Sequence, residues 1–112
     1  MRLPFVQEHV QYIPEEQGIF TLWDHSHPVY IGRTAPRSNL RAELGHALTM
    51  AMVEDFLVTH FSFEVTAVPK TRAAEELRSH FERWGRLPRY NERAVQDVGA
   101  PLQSSRRMPR RV

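Results

Sequence analysis

Two short apolar runs separated by a polar segment between positions 18 and 32 predict a β-hairpin. Residues 18–23 are rich in β-branched and aromatic side chains, residues 24–28 (Asp-His-Ser-His-Pro) have the composition of a turn, and apolar residues resume over 29–32. Two short runs of this kind, separated by turn residues, are typical of neighbouring antiparallel strands.

Helical spacing follows the hairpin. Ser38 or Asn39 can serve as the N-cap of a first helix, because either side chain can accept a hydrogen bond from the first turn. Apolar residues then recur at intervals of three and four. They are Leu40, Leu44, Ala47, Leu48, Ala51 and Met52.

A third strand and a second helix complete the pattern. Phe61, Phe63, Val65 and Ala67 alternate with polar residues, which predicts a half-buried strand that ends before Pro69. Thr71 can cap the second helix, and Gly85 stands where a left-handed C-terminal residue is expected. The predicted buried stripe of this helix is Ala73, Ala74, Leu77, Phe81 and Trp84.

The element order β-β-α-β-α predicts a small α/β domain, with a three-stranded, mainly antiparallel sheet flanked by helices. A chain of 112 residues is long enough for one such core. We assign the domain to residues 1–98. Residues 99–112 have no hydrophobic periodicity and are predicted to form a basic, disordered tail.

Composition narrows the class of protein. The chain has no cysteine, which excludes disulfides, thiolate metal sites and a cysteine nucleophile. No apolar run approaches the roughly 20 residues that span a bilayer, and the N-terminus lacks the apolar core of a signal peptide. These features predict a cytoplasmic protein without a membrane partner.

Positive charge is concentrated at the C-terminal end. Arginine supplies 14 of the 15 basic residues, and four of these arginines lie after Asp97 with no acidic residue among them. The other 11 basic residues accompany 13 acidic ones, so residues 1–98 carry a net charge of −2. Net charge alone therefore does not indicate that the domain binds nucleic acid.

The order of short motifs gives a more specific signal. Gly18-Ile19-Phe20 is followed at hairpin spacing by Tyr30-Ile31-Gly32, then by an arginine-bearing helix, a strand, a helix with early glutamates, and a closing Leu87-Pro88-Arg89-Tyr90-Asn91. Over residues 13–93 this arrangement resembles a GIY-YIG nuclease domain. The resemblance implies a DNA endonuclease that hydrolyses phosphodiester bonds with one Mg²⁺ or Mn²⁺.

The resemblance also implies roles for individual residues. Tyr30 matches the second-triplet tyrosine, which positions or deprotonates the attacking water, and Asn91 matches the closing asparagine that supports the site. Glu75 or Glu76 matches the metal-binding glutamate, and the spacing back from Asn91 favours Glu76. One cation on a carboxylate offsets the charge that makes phosphodiesters resist attack.

Two positions depart from the family pattern. Phe20 stands where the first triplet usually has a tyrosine, and Glu43 stands where the helix usually has its phosphate-binding arginine. Arg41 is the candidate replacement for that arginine, with Arg37 and Arg33 as neighbouring alternatives. These departures support a second hypothesis: a catalytically degenerate module of the same fold that binds nucleic acid or a protein partner.

The remaining predictions concern binding. We expect Arg33, Arg37, Arg106 and Arg107 to contact DNA phosphates. The domain is too small to include a separate recognition module, so specificity would come from the tail, a homodimer or a larger complex. His25 and His27 have the spacing of a metal-binding pair, but they lie in a turn with no third ligand nearby in the sequence.

Overall fold

The computed structural model describes residues 1–92. It adds two short N-terminal elements to those expected from the sequence. In chain order the elements are β1 (Leu3–Pro4), α1 (Gln7–Val10), β2 (Gly18–Asp24), β3 (His27–Arg33), α2 (Leu40–Glu54), β4 (His60–Val65) and α3 (Pro69–Trp84). The proposed tail at 99–112, with Arg106 and Arg107, lies outside the described residues.

The sheet has four antiparallel strands in the order β1-β4-β2-β3. The predicted α/β class is confirmed, but the prediction of three strands is wrong by one. The additional strand, β1, is only two residues long and includes Pro4, so it has no periodicity that a sequence pattern can reveal. It is a strand because it pairs with β4, where Leu3 lies opposite Phe61.

The predicted hairpin is confirmed as β2 and β3. Phe20 lies opposite Gly32 and Leu22 opposite Tyr30, and the register shifts between Leu22 and Trp23. Since β4 pairs with the other side of β2, β3 remains at the edge of the sheet. The Tyr30-Ile31-Gly32 triplet is therefore presented on an edge strand.

The main hydrophobic core lies between one face of the sheet and the first two helices. Leu40, Leu44 and Phe61 are fully buried there, with Phe20 and Leu22 from β2. Asn39 is the N-cap of α2, and its side-chain oxygen accepts a hydrogen bond from the Ala42 amide at 2.9 Å. The first predicted helix and its cap are thus confirmed as α2 and Asn39, but Met52 of its predicted apolar stripe is 78% exposed.

The second long helix, α3, begins earlier than predicted. It starts at Pro69, whose fixed φ suits the first helical position, and Val68 rather than Thr71 is the N-cap residue. Its C-terminal end is as predicted, because Gly85 has a φ of 75°.

The buried stripe of α3 also differs from the prediction. Ala73 and His80 are buried and Leu77 is half-buried, whereas Ala74 is exposed and Phe81 is 54% exposed. At 3.6 residues per turn, positions 73, 77 and 80 fall in one narrow arc, and position 81 lies outside it. The stripe includes a histidine, which a search for apolar residues does not select.

Among residues 1–92, no helix combines the length and the apolar character needed to cross a membrane.

Candidate functional site

Two sequence motifs meet at the edge strand. The Ile31 amide donates to Asn91 Oδ1 at 2.8 Å, and Asn91 Nδ2 donates to the Ile31 carbonyl at 3.0 Å. The Asn91 side chain thus pairs with the edge of β3 as a neighbouring strand would. The closing asparagine and the Tyr30-Ile31-Gly32 triplet lie 60 positions apart in the chain and are in direct contact.

The segment that carries Asn91 is anchored in the core. Pro88 and Tyr90 are buried, and the Tyr90 ring stacks on Phe56 with centroids 4.4 Å apart. The Tyr90 hydroxyl accepts a hydrogen bond from the Leu57 amide at 3.0 Å. These contacts fix the position from which Asn91 reaches β3.

Gly32 allows two aromatic rings to approach the backbone of β3. A Cβ atom at this position would lie 2.7 Å from the Tyr30 ring and closer still to the Phe20 ring. The two ring centroids are 6.0 Å apart. The glycine of the second triplet is therefore required by packing around Tyr30.

The end of β3 is held by a buried threonine. Thr34 Oγ1 accepts from the Gly18 amide at 3.1 Å and donates to Gln17 Oε1 at 3.0 Å. Gln17 also donates to the carbonyl of Ala35 at 3.2 Å. This network fixes the strand end from which Arg33 projects and the loop that follows it.

Tyr30 is half-buried, and its hydroxyl makes no hydrogen bond within residues 1–92. Burial raises the pKa of Tyr30, the nearby Glu43 carboxylate raises it further, and Arg33 lowers it. The phenol is therefore protonated at neutral pH. In this environment Tyr30 is suited to donate a hydrogen bond to a bound phosphate or water, and less suited to act as a base.

The structure brings Glu43, at the family's arginine position, towards Tyr30. Glu43 Oε2 accepts a hydrogen bond from the Ala35 amide at 3.1 Å, next to the end of β3. Its charge also acts on Tyr30. Position 43 therefore presents a carboxylate to the end of β3, and this charge acts on Tyr30.

The arginine candidates lie in different places. Arg41 Nε donates to the Ile13 carbonyl at 2.8 Å and Nη1 lies 3.5 Å from Glu15, so this side chain is held against the N-terminal segment. Arg37 is exposed in the loop before α2. Arg33, exposed at the end of β3, is the candidate whose charge acts on Tyr30.

A pocket with a volume of about 340 Å³ lies beside the edge strand, and we call it the concave surface. Its lining comes from β3, the following loop and α3: Tyr30, Ile31, Gly32, Arg33, Ala35, Ala73 and Leu77. It combines an aromatic hydroxyl and a guanidinium with apolar walls. This surface is the candidate substrate site.

The two candidate metal-binding glutamates belong to a separate charged cluster around Arg72. Arg72 binds both oxygens of Glu64, at 2.7 and 2.8 Å, and one oxygen each of Glu75, at 2.6 Å, and Glu76, at 3.1 Å. The hydrogen bonds from Arg72 lower the pKa of Glu64, and the three carboxylates raise the pKa of Arg72. We call these four residues the Arg72 cluster.

Strand register places the Arg72 cluster relative to the concave surface. Arg33 lies opposite Ile19, and Ile19 lies opposite Glu64, so Arg33 and Glu64 are two strand spacings apart, or about 10 Å. On α3, Glu76 and Leu77 lie on opposite sides of the buried Ala73. The structure therefore groups Glu75 and Glu76 with Arg72, beside the concave surface.

The net negative charge of the Arg72 cluster is suited to a hard divalent cation. Three carboxylates around one guanidinium leave a net charge of −2, and Glu75 and Glu76 each bind Arg72 through a single oxygen. Within residues 1–92, no group of three or more His, Asp or Glu side chains is arranged to hold a metal ion. An ion at Glu76 would thus have one or two carboxylate ligands and otherwise water, an arrangement that Mg²⁺ accepts.

Sequence reasoning did not foresee the role of Arg72. Its spacing of three and four residues from Glu75 and Glu76 is a recognisable helical ion-pair pattern, whereas the contact with Glu64 depends on how α3 packs on β4.

Comparisons of the chain with protein-family models, with curated proteins and with solved structures found no match.

The raised pKa of Tyr30 gives a direct test of the site's electrostatics. Because the Glu43 carboxylate disfavours the phenolate, Glu43→Gln is expected to lower the pKa of Tyr30. The titration can be followed by NMR on tyrosine labelled with ¹³C at Cζ. Glu54→Gln, at the exposed end of α2, should leave the Tyr30 curve unchanged. An unchanged curve in Glu43→Gln would contradict the placement of Glu43.

Proposed function

We propose that this domain is a metal-dependent DNA endonuclease with a GIY-YIG-type site. The observation that carries the proposal is the pairing of the Asn91 amide with Ile31, which joins the closing motif to the second triplet beside Tyr30. The proposal includes the GIY-YIG fold family and a cytoplasmic location, the latter supported by the absence of cysteine.

The concave surface is the proposed binding site for the phosphodiester. Arg33 would contact a non-bridging phosphate oxygen, because a guanidinium presents paired donors that match the geometry of phosphate. The protonated Tyr30 hydroxyl would donate to the phosphate or orient the attacking water. Asn91 acts indirectly, since it holds the backbone of β3 between these two side chains.

Glu76, with Glu75 beside it, is the proposed metal-binding group. A divalent ion there would offset the negative charge that develops on the phosphate during attack. Arg72 holds one oxygen of each glutamate and leaves the other oxygen for the ion. Glu64, bound through both oxygens, would orient Arg72 and have no direct role.

The second candidate function is a catalytically degenerate module that binds nucleic acid or a protein partner. The observation that favours it is the Glu43 carboxylate, which occupies the side of Tyr30 where a cation would be needed. The Arg41 guanidinium is bound to the Ile13 carbonyl and Glu15, which also favours this candidate. Such a module would bind its ligand without a requirement for a metal ion.

Titration with Mn²⁺ distinguishes the two candidates. The endonuclease proposal predicts one Mn²⁺ bound per chain, observed by electron paramagnetic resonance of the free ion. It also predicts that Glu75→Ala/Glu76→Ala removes this binding, because both proposed ligands are lost. Glu82→Ala, an exposed glutamate of the same helix, is the matched control and should bind as the unmodified protein does. Absence of specific Mn²⁺ uptake would favour the degenerate module.

A further inference from the structure

His80 has a ring nitrogen that the fold leaves without a partner. The residue lies on α3 and is 7% exposed, and its Nδ1 is 2.7 Å from the Arg86 carbonyl. A carbonyl can only accept a hydrogen bond, so Nδ1 carries the hydrogen and Nε2 of the neutral ring has the lone pair. Within residues 1–92, Nε2 is buried and has no hydrogen-bond partner.

A second imidazole faces His80 from the start of β3. The His27 ring centroid lies 6.3 Å from that of His80, with the rings steeply inclined at 68°. Trp84 contacts both rings, at 5.4 Å from His27 and 6.2 Å from His80. His27 is exposed and Trp84 is 50% exposed, so the two side chains beside His80 are both accessible to solvent.

Sequence spacing pairs His27 with His25, but the two side chains make different contacts in the structure. His25 has a φ of 57°, and its Nδ1 lies 2.9 Å from Asp24 Oδ1. The ring contacts of His27 are with His80 and Trp84. The histidine whose ring contacts His27 is therefore His80, which lies 53 positions further along the chain.

We propose that His27 and His80 together bind one late first-row transition-metal ion, of the class of Ni²⁺, Cu²⁺ and Zn²⁺. A histidine ligand commonly donates its second ring N–H to a backbone carbonyl, which fixes its tautomer, and His80 has this arrangement before any ion is bound. Imidazole nitrogens favour these ions over Mg²⁺ and Mn²⁺. Water would complete the coordination.

The observed ring separation is close to that of two ligands on one ion. With nitrogen-to-metal distances of about 2.0–2.1 Å, two imidazoles at a tetrahedral or wider angle have centroids about 5–6 Å apart. The distance of 6.3 Å needs only a small turn of the exposed His27 ring. The bound ion would tie the start of β3 to the end of α3 and stabilise the folded state.

Calorimetric titration of the full chain with Ni²⁺ tests this proposal. We expect one site, Ni²⁺-dependent quenching of Trp84 fluorescence, and an affinity at least tenfold lower in His27→Gln, because one of two ligands is lost. His27 is exposed, so this variant keeps the fold, and circular dichroism verifies that. His25→Gln, two residues before His27, is the matched control and should bind Ni²⁺ as the unmodified protein does.

Two results would overturn the proposal. One is an unchanged Ni²⁺ affinity in His27→Gln. The other is an equal loss in His25→Gln and His27→Gln, which would indicate adventitious binding by surface histidines. A His80→Gln variant should match His27→Gln, and if it fails to fold the exposed His27→Gln variant still decides the question. Binding of Mn²⁺ is unaffected by either substitution if Glu75 and Glu76 hold that ion, so the two metal proposals fail independently.

Discussion

Replacing Glu43 by arginine is expected to strengthen DNA binding by at least tenfold at low salt. The carboxylate at this position acts on Tyr30 and lies next to the loop that lines the concave surface. The substitution changes the local charge by two units, and each unit is worth about 1 kcal/mol at 4 Å in water. About 2 kcal/mol corresponds to a factor of more than ten in affinity.

The binding can be measured by fluorescence anisotropy with a labelled DNA duplex over a series of salt concentrations. One added phosphate contact should make the plot of log affinity against log salt steeper by about one unit. Glu54→Arg is the matched control, because it makes the same charge change at the exposed C-terminal end of the same helix. An equal gain in both variants would show that net charge, and not the position facing Tyr30, determines binding.

Substituting Gly32 by alanine is expected to lower the free energy of unfolding by about 1–3 kcal/mol, the usual range for overpacking a core. The new methyl group would overlap the rings of Phe20 and Tyr30, and Phe20 is part of the buried core. Urea denaturation monitored by circular dichroism measures the change.

Gly45→Ala is a control for which we expect the opposite change in stability. It lies within α2 and has open space where a Cβ would be placed. Alanine is favoured over glycine inside a helix by about 0.5–1 kcal/mol, so Gly45→Ala should stabilise the protein. A Gly32→Ala variant as stable as the unmodified protein would contradict the close packing of the Phe20 and Tyr30 rings against Gly32.

Local signals explain why much of the fold follows from the sequence. The hairpin is marked by two short apolar runs around a turn, and α2 by apolar residues at helical spacing. Asn39 and Gly85 perform the capping roles expected of their residue types. β1 was missed because two residues have no period, and its conformation depends on pairing with β4. The stripe of α3 was misplaced because His80 occupies a buried position normally taken by an apolar residue.

The candidate site was only partly predictable, because some of its contacts depend on tertiary packing. Asn91 contacts Ile31 next to Tyr30, and the Glu43 charge acts on Tyr30; both residues occupy positions that the motif order singles out. The direction of Arg41 depends on a tertiary contact with Ile13 that no local pattern encodes. The grouping of Glu64 with Arg72 likewise depends on the packing of α3 against β4.

Cleavage of supercoiled plasmid DNA in the presence of Mn²⁺ tests the proposed function most directly. The purified unmodified protein is expected to convert supercoiled plasmid to the nicked form, and chelation of the metal or the Glu75→Ala/Glu76→Ala substitution should abolish the reaction. Glu82→Ala should retain it. Cleavage that persists unchanged in the double variant, or no cleavage by the unmodified protein at any Mn²⁺ concentration, would contradict the assignment of this domain as a metal-dependent endonuclease.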